Sequence, residues 1–180
     1  MIKSLCVPGG VVAEIGVFKG DFSKQIIELI VPSKFFLLDI FDGETCSGNA
    51  DGNYVVDANM ANEYNNLNNT IGKLDGVSLL KGDSSTNLST FPDNYFDMIY
   101  IDGDHSYSGC KRDLEMAINK IKHNGYIMGH DYEMNMSKAH TNYIFGVRQA
   151  ADEFCRNYNQ TIIAKGMDGC VSFAIKVNKA

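Results

Sequence analysis

The sequence predicts an α/β fold: a doubly wound, mostly parallel seven-stranded sheet with a C-terminal antiparallel hairpin. Three observations lead there. Short apolar segments alternate with amphipathic ones about five times, a pattern that builds a parallel sheet covered by helices on both faces. The last two apolar segments are joined by "GMDG", a hairpin signal that reverses the final strand. The apolar runs also release polar groups at the same end: Asp39, Asp83, Asp102 and the pair His130–Asp131. Parallel sheets bind ligands beyond the carboxyl ends of their strands, so the fold would gather these groups in one cleft.

Residues 11–15 are apolar and end at Gly16, which predicts a buried first strand. Residues 21–30 carry Phe22, Ile26, Ile27, Leu29 and Ile30 as a wide apolar stripe, with Pro32 beyond, and predict a helix. A second strand is expected over 35–39. The stretch 42–54 is polar, holds three glycines and has no period, so it reads as a long functional loop. An Asn-rich helix over 58–72 leads to a third strand at 77–80, closed by "KGDSS". A fourth strand is expected over 95–101. It is followed by a helix over 107–122, in which Leu114, Ala117, Ile118 and Ile121 share a face and "HNG" supplies the stop. His123 is then expected to complement the dipole at that helix end. Residues 126–129 give the fifth strand, 132–141 a Met-rich loop, and 145–158 a helix through Val147, Ala150, Ala151, Phe154 and Cys155. Strands over 161–165 and 170–177 close the sheet.

A chain of 180 residues supports one domain, spanning 1–180, with a sizeable core. The formal net charge of −6 and a pI near 5.1 argue against a nucleic-acid partner, because no basic field collects phosphates. The five cysteines form no CxxC pair and their number is odd, which fits a reducing, cytoplasmic setting better than a disulfide framework. No segment reads as a signal peptide, and no apolar run approaches the ~20 residues a membrane span needs.

The first strand-to-helix turn reads "EIGVFKG", Glu14 to Gly20. A dinucleotide fingerprint needs G-x-G-x-x-G, whose second glycine admits a pyrophosphate. Phe18 stands at that second position, which argues for a ligand without a pyrophosphate, such as S-adenosylmethionine. Asp39, at the end of the second strand, suits the ribose hydroxyls, with a helix cap or loop acid as the plainer role. Asp83 has the same plainer role; if functional, it or Ser84 would meet the adenine amino group. Glu14 is either a structural acid of the turn or faces the ligand's amino group.

Taken in order, "EIGVFKG", "LLDIFDG", "LLKGDSS", "YIDGDHSYSGCKRDL" and "NGYIMGHDY" resemble the class I S-adenosylmethionine-dependent methyltransferases. The pair "IDGDHSY" and "GHDY" narrows the resemblance to the small-core family that includes macrocin-type sugar O-methyltransferases. The resemblance covers residues 10–176. It implies cofactor contacts at Glu14, Gly16, Gly20, Asp39, Asp83 and Ser84, and reaction-edge roles for Asp102, His105, His130 and Asp131. It also implies a small hydroxylated acceptor. In related metal-dependent enzymes Mg²⁺ is held by acids after the fourth and fifth strands. Asp102 and Asp131 match them, but His130 stands where an acid is usual, and imidazole suits transition metals better.

His105 is the candidate base, since imidazole titrates near neutral pH, with Asp102 beside it as the second catalytic candidate. Its structural alternatives are to cap the helix starting near residue 106 or to pin Asp102. A divalent ion (Mg²⁺ or Mn²⁺) on Asp102, His130 and Asp131 is the other route to an activated hydroxyl, weighed evenly against a metal-free polar cluster. Tyr107, Tyr132, Tyr143, Met134, Met136 and His140 are candidate pocket or loop residues, with core packing or solvent exposure as the plainer roles. The competing functions are a nicotinamide-dependent oxidoreductase and a non-catalytic cofactor-binding module. A homo-oligomer is compatible with everything above.

Overall fold

The structure is a computed structural model and describes residues 1–5, 8–42, 59–133, 145–167 and 169–179. The long polar loops expected over 42–54 and 132–141 fall almost entirely outside these residues, and with them Met134, Met136, His140 and Tyr143. The chain runs α1 (Ile2–Leu5), β1 (Val11–Ile15), α2 (Asp21–Ile30), β2 (Lys34–Asp39), α3 (Met60–Asn69), a 3₁₀ turn at Ile71–Lys73, β3 (Val77–Lys81) and α4 (Ser84–Ser89). It continues through β4 (Phe96–Ile101), α5 (Tyr107–Lys120), β5 (Ile121–Gly129), α6 (Val147–Asn157), β6 (Ile162–Met167) and β7 (Val171–Lys176).

The seven strands form one sheet in the order β3-β2-β1-β4-β5-β7-β6. The first five are parallel to one another; β7 is antiparallel to both β5 and β6. This is the predicted doubly wound architecture with its reversed terminal hairpin. Strand side chains alternate between faces, and the core divides accordingly. Met98 and Tyr100 of β4 join Ile26, Ile30 and Leu67 on one face. Ile99 and Ile101 join Leu114, Ala117, Ala151 and Phe154 on the other. Strands buried on both faces read as near-continuous apolar runs, which is why they stand out in the sequence.

Three differences from the expected elements have local causes. Ile121 belongs to β5, where it pairs with Phe96, so helix α5 ends at Lys120. The apolar spacing of Leu114, Ala117, Ile118 and Ile121 runs through the junction without a break, because the chain passes directly from helix to strand. His123 therefore lies in β5, where its Nδ1 accepts a hydrogen bond from the Lys179 N–H instead of facing a helix end. The short helix α4 was not expected; Asp83 caps it by accepting from the Thr86 N–H. Among the described residues, no helix is long and apolar enough to cross a membrane.

Candidate active site

Backbone hydrogen bonds lace the carboxyl ends of five adjacent strands into one rim. Gly82 N–H donates to the Asp39 carbonyl, Gly16 N–H to Leu38, Asp102 N–H to Ile15 and His130 N–H to Ile101. The rim thus carries Asp83, Asp39, Gly16, Asp102 and His130–Asp131 in spatial order across the sheet. Gly16 makes the closest approach possible: at φ +85°, a Cβ there would sit 2.1 Å from the Asp102 carbonyl oxygen. Only glycine lets β1 and β4 finish side by side.

The glycine turn is built around Asp39. Its Oδ2 accepts from the Val17 N–H (2.7 Å) and the Phe18 N–H (2.9 Å), and its Oδ1 accepts from the Phe41 N–H (2.9 Å). Phe18 occupies the second-glycine position with φ +52°, a strained conformation for a bulky residue, and leaves its ring partly exposed. Helix α2 then starts at Asp21, with Gly20 in the N-cap position and no side-chain cap. Its first N–H groups face the rim as donors. Glu14 is buried on the inner side, accepting from Ser23 Oγ at 2.6 Å. Burial lifts its carboxyl to about 8, against the Ser23 bond, with the charges of Asp102 and Asp39 adding to the rise. Glu14 is thus held protonated at neutral pH. Ser84 points inward and donates to Asp113 Oδ1 at 2.6 Å, so its hydroxyl is committed there. Asp113 is itself buried, and burial raises it to about 6. Asp83 lies half exposed; a hydrogen bond from Ser85 is the main cause holding it below the usual carboxylate range.

The other half of the rim is a cluster of two histidines and two acids. His105 Nε2 lies 3.1 Å from Asp102 Oδ1 and 3.2 Å from Asp131 Oδ2. His130 Nδ1 lies 3.2 Å from Asp131 Oδ1 and 3.8 Å from Asp102 Oδ1. Burial works to lower His105, but the hydrogen bond to Asp102 and the two carboxylate charges outweigh it, so the ring is held above its ordinary value. Burial pushes Asp102 up, opposed by His105. Asp131 stays low although burial works against it, because His130, His105 and the Cys170 thiol all favour its charge. Asp131 adopts φ +57°, a conformation Asp tolerates better than bulky residues. His105 does not cap α5; Ser106 does, accepting from the Gly109 N–H. Instead its ring stacks on Phe145, and its carbonyl accepts from the Gly146 N–H, tying it to the start of α6.

Cys170 is the rim residue that sequence reasoning passed over. It precedes β7, and because β7 is antiparallel to β5 its start lies where β5 ends; Tyr132 N–H donates to the Val171 carbonyl there. The predicted hairpin already carried that signal. Of the tyrosines offered for the pocket, Tyr107 Oη donates to Glu153 and Tyr132 Oη to Asp152. A separate cleft of about 370 Å³, lined by Gly10, Asp97, Lys122, His123 and Tyr126, opens at the opposite edge of the sheet, away from the rim groups.

Residues 13–132 match the family model described as a methyltransferase domain. No curated protein matches the chain. Solved structures share the fold. The N-methyltransferase NodS from Bradyrhizobium japonicum aligns at TM-score 0.66 and 10% identity over 99% of this chain and 90% of its own. A precorrin-6y C5,15-methyltransferase from Geobacter metallireducens aligns at TM-score 0.65 and 15% identity, covering 98% and 84%. An O-methyltransferase family protein from Burkholderia thailandensis aligns at 0.63 and 10%, covering 95% and 52%. Their names span nitrogen, carbon and oxygen acceptors, so the fold leaves the acceptor atom open. With the family model covering two thirds of its length, the chain belongs to the methyltransferase domain family.

Proposed function

We propose that the protein is an S-adenosylmethionine-dependent O-methyltransferase acting on a small hydroxylated acceptor such as a sugar. The observation that carries this reading is the single rim on which the uncapped α2 turn, Asp39 and the Asp102–His105–Asp131 cluster stand together. The residues present fit the donor. Asp39 stands beside the turn for the ribose, Asp83 offers an accessible carboxylate to the adenine amino group, and Ser84 offers its backbone N–H at the start of α4. Gly16 and Gly20 shape the turn between them. The motifs "IDGDHSY" and "GHDY" support the sugar-type acceptor.

S-adenosylmethionine, held by the turn at Gly16 and Gly20 with Asp39, Asp83 and Ser84, would supply an electrophilic methyl on a sulfonium leaving group. The protein's part is to align the acceptor and take its proton. His105, with its Nε2 against Asp102 and Asp131, takes the acceptor's proton, and the two carboxylates stabilise the imidazolium. Alignment is worth on the order of 7–11 kcal/mol and a positioned base roughly 10²–10⁴-fold, so positioning dominates. The acceptor itself is small and neither a nucleic acid nor a membrane, in keeping with the acidic chain. The test is methyl transfer from labelled donor to a panel of hydroxylated acceptors. Transfer to a hydroxyl supports the reading; methylation confined to amines or carbon acids refutes it.

A further inference from the structure

We propose that His130, Asp131 and Cys170, with Asp102 alongside, form a site for a borderline transition-metal ion such as Zn²⁺, and that Mg²⁺ is not its ion. This deepens the proposed function, since the site adjoins the acceptor edge, but it stands on its own donors. His130 Nδ1, an Asp131 oxygen and Cys170 Sγ lie within 4.8 Å of one another. His130 Nδ1 is 3.2 Å from Asp131 Oδ1 and 3.8 Å from Asp102 Oδ1, and the Cys170 thiol hydrogen-bonds the Asp131 carboxylate. Zinc bond lengths of about 2.0–2.3 Å place tetrahedral ligand atoms roughly 3.3–3.6 Å apart, a spacing these contacts bracket.

The donor set decides the ion. Mg²⁺ demands oxygen ligands in near-octahedral array and sheds water reluctantly, so an imidazole and a thiol are poor partners. One nitrogen, one sulfur and one carboxylate, with the Asp102 carboxylate near the imidazole, suit Zn²⁺ and its neighbours. The topology explains the mixture. Asp102 ends β4, His130 and Asp131 end β5, and the reversed β7 returns a third segment to the same corner, bringing a thiol that the acids after β4 and β5 alone would not supply. His105 stays outside this set, with its Nε2 facing Asp102 and Asp131.

The test uses the full chain, stripped with chelator and titrated with Co²⁺ as an optical probe. The expected result is one equivalent bound, with a thiolate-to-cobalt charge-transfer band that Zn²⁺ abolishes and a thousandfold excess of Mg²⁺ does not. Cys170→Ser should lose the band while keeping its circular dichroism and its affinity for S-adenosylhomocysteine. Outer-sphere partners alone are worth about 10–100-fold in metal affinity, so loss of the direct ligand in His130→Ala should cost at least about a hundredfold. A Co²⁺ complex without the thiolate band, a band that persists in Cys170→Ser, displacement by Mg²⁺, or no Co²⁺ uptake by the folded chain would each overturn the site. The S-adenosylhomocysteine arm keeps that failure separate from a failure of the methyltransferase reading.

Discussion

Replacing Glu14 by Gln should make the protein's stability less dependent on pH. Glu14 is 1% exposed, accepts its hydrogen bond from Ser23 and feels the charges of Asp39 and Asp102. Its carboxyl titrates at about 8 in the folded chain against 4.5 when unperturbed. The folded state therefore holds a proton that the unfolded state releases. The sign follows: stability is full below pH 4.5 and is lost as pH rises toward about 8. Each pH unit costs up to about 1.4 kcal/mol, so the window is worth on the order of 4–5 kcal/mol as an upper bound. Gln keeps the shape and an acceptor for Ser23 but has no proton to lose. Urea unfolding of both proteins at intervals from pH 5 to 8.5 measures the difference, in which other titrating groups such as Asp113 cancel. The two should be alike within about 1 kcal/mol at pH 5, with the variant ahead by several kcal/mol at pH 8. A difference that stays constant across the range would refute the buried, protonated Glu14.

Gly16→Ala forces a side chain into the Asp102 carbonyl at a left-handed φ; backbone strain alone should cost about 1–3 kcal/mol, and unchanged unfolding in urea would contradict the close β1–β4 approach. Ser84→Ala leaves buried Asp113 without its hydroxyl donor and should destabilise by about 1–3 kcal/mol, read by the same unfolding curves; no loss would mean the bond contributes nothing. His105→Ala should lower turnover about 10²–10⁴-fold while S-adenosylhomocysteine binding is kept, and undiminished turnover would move the base elsewhere.

The sheet was legible because its strands are buried on both faces and end abruptly in polar residues. Val11–Ile15 into Gly16 and Phe96–Ile101 into Asp102 announce both a strand and the side on which the site lies. The helix-to-strand junction at Lys120–Ile121 was not, since a helical stripe and a strand can share the same apolar residue when no turn separates them. Helix α4 has a clear cap in Asp83 but only six residues, too few to establish a period. The rim acids could be listed from sequence, yet their tasks needed coordinates. Asp39 ties two backbone N–H groups of the turn to one just past its own strand, Ser84 turns inward to Asp113, and His105 sits between two carboxylates contributed by different strands. Cys170 joins them through the antiparallel return that "GMDG" signals, but which strand ends that return meets is set by the order of the sheet.

The most direct measurement is titration calorimetry of the folded chain with S-adenosylhomocysteine, beside Asp39→Ala. One molecule should bind per chain. Hydrogen bonds to a charged group are worth about 1.5–3 kcal/mol, so the variant should bind roughly 10–100-fold more weakly. No heat of binding from wild-type protein with intact circular dichroism would contradict the placement of a methyl donor across the first glycine turn.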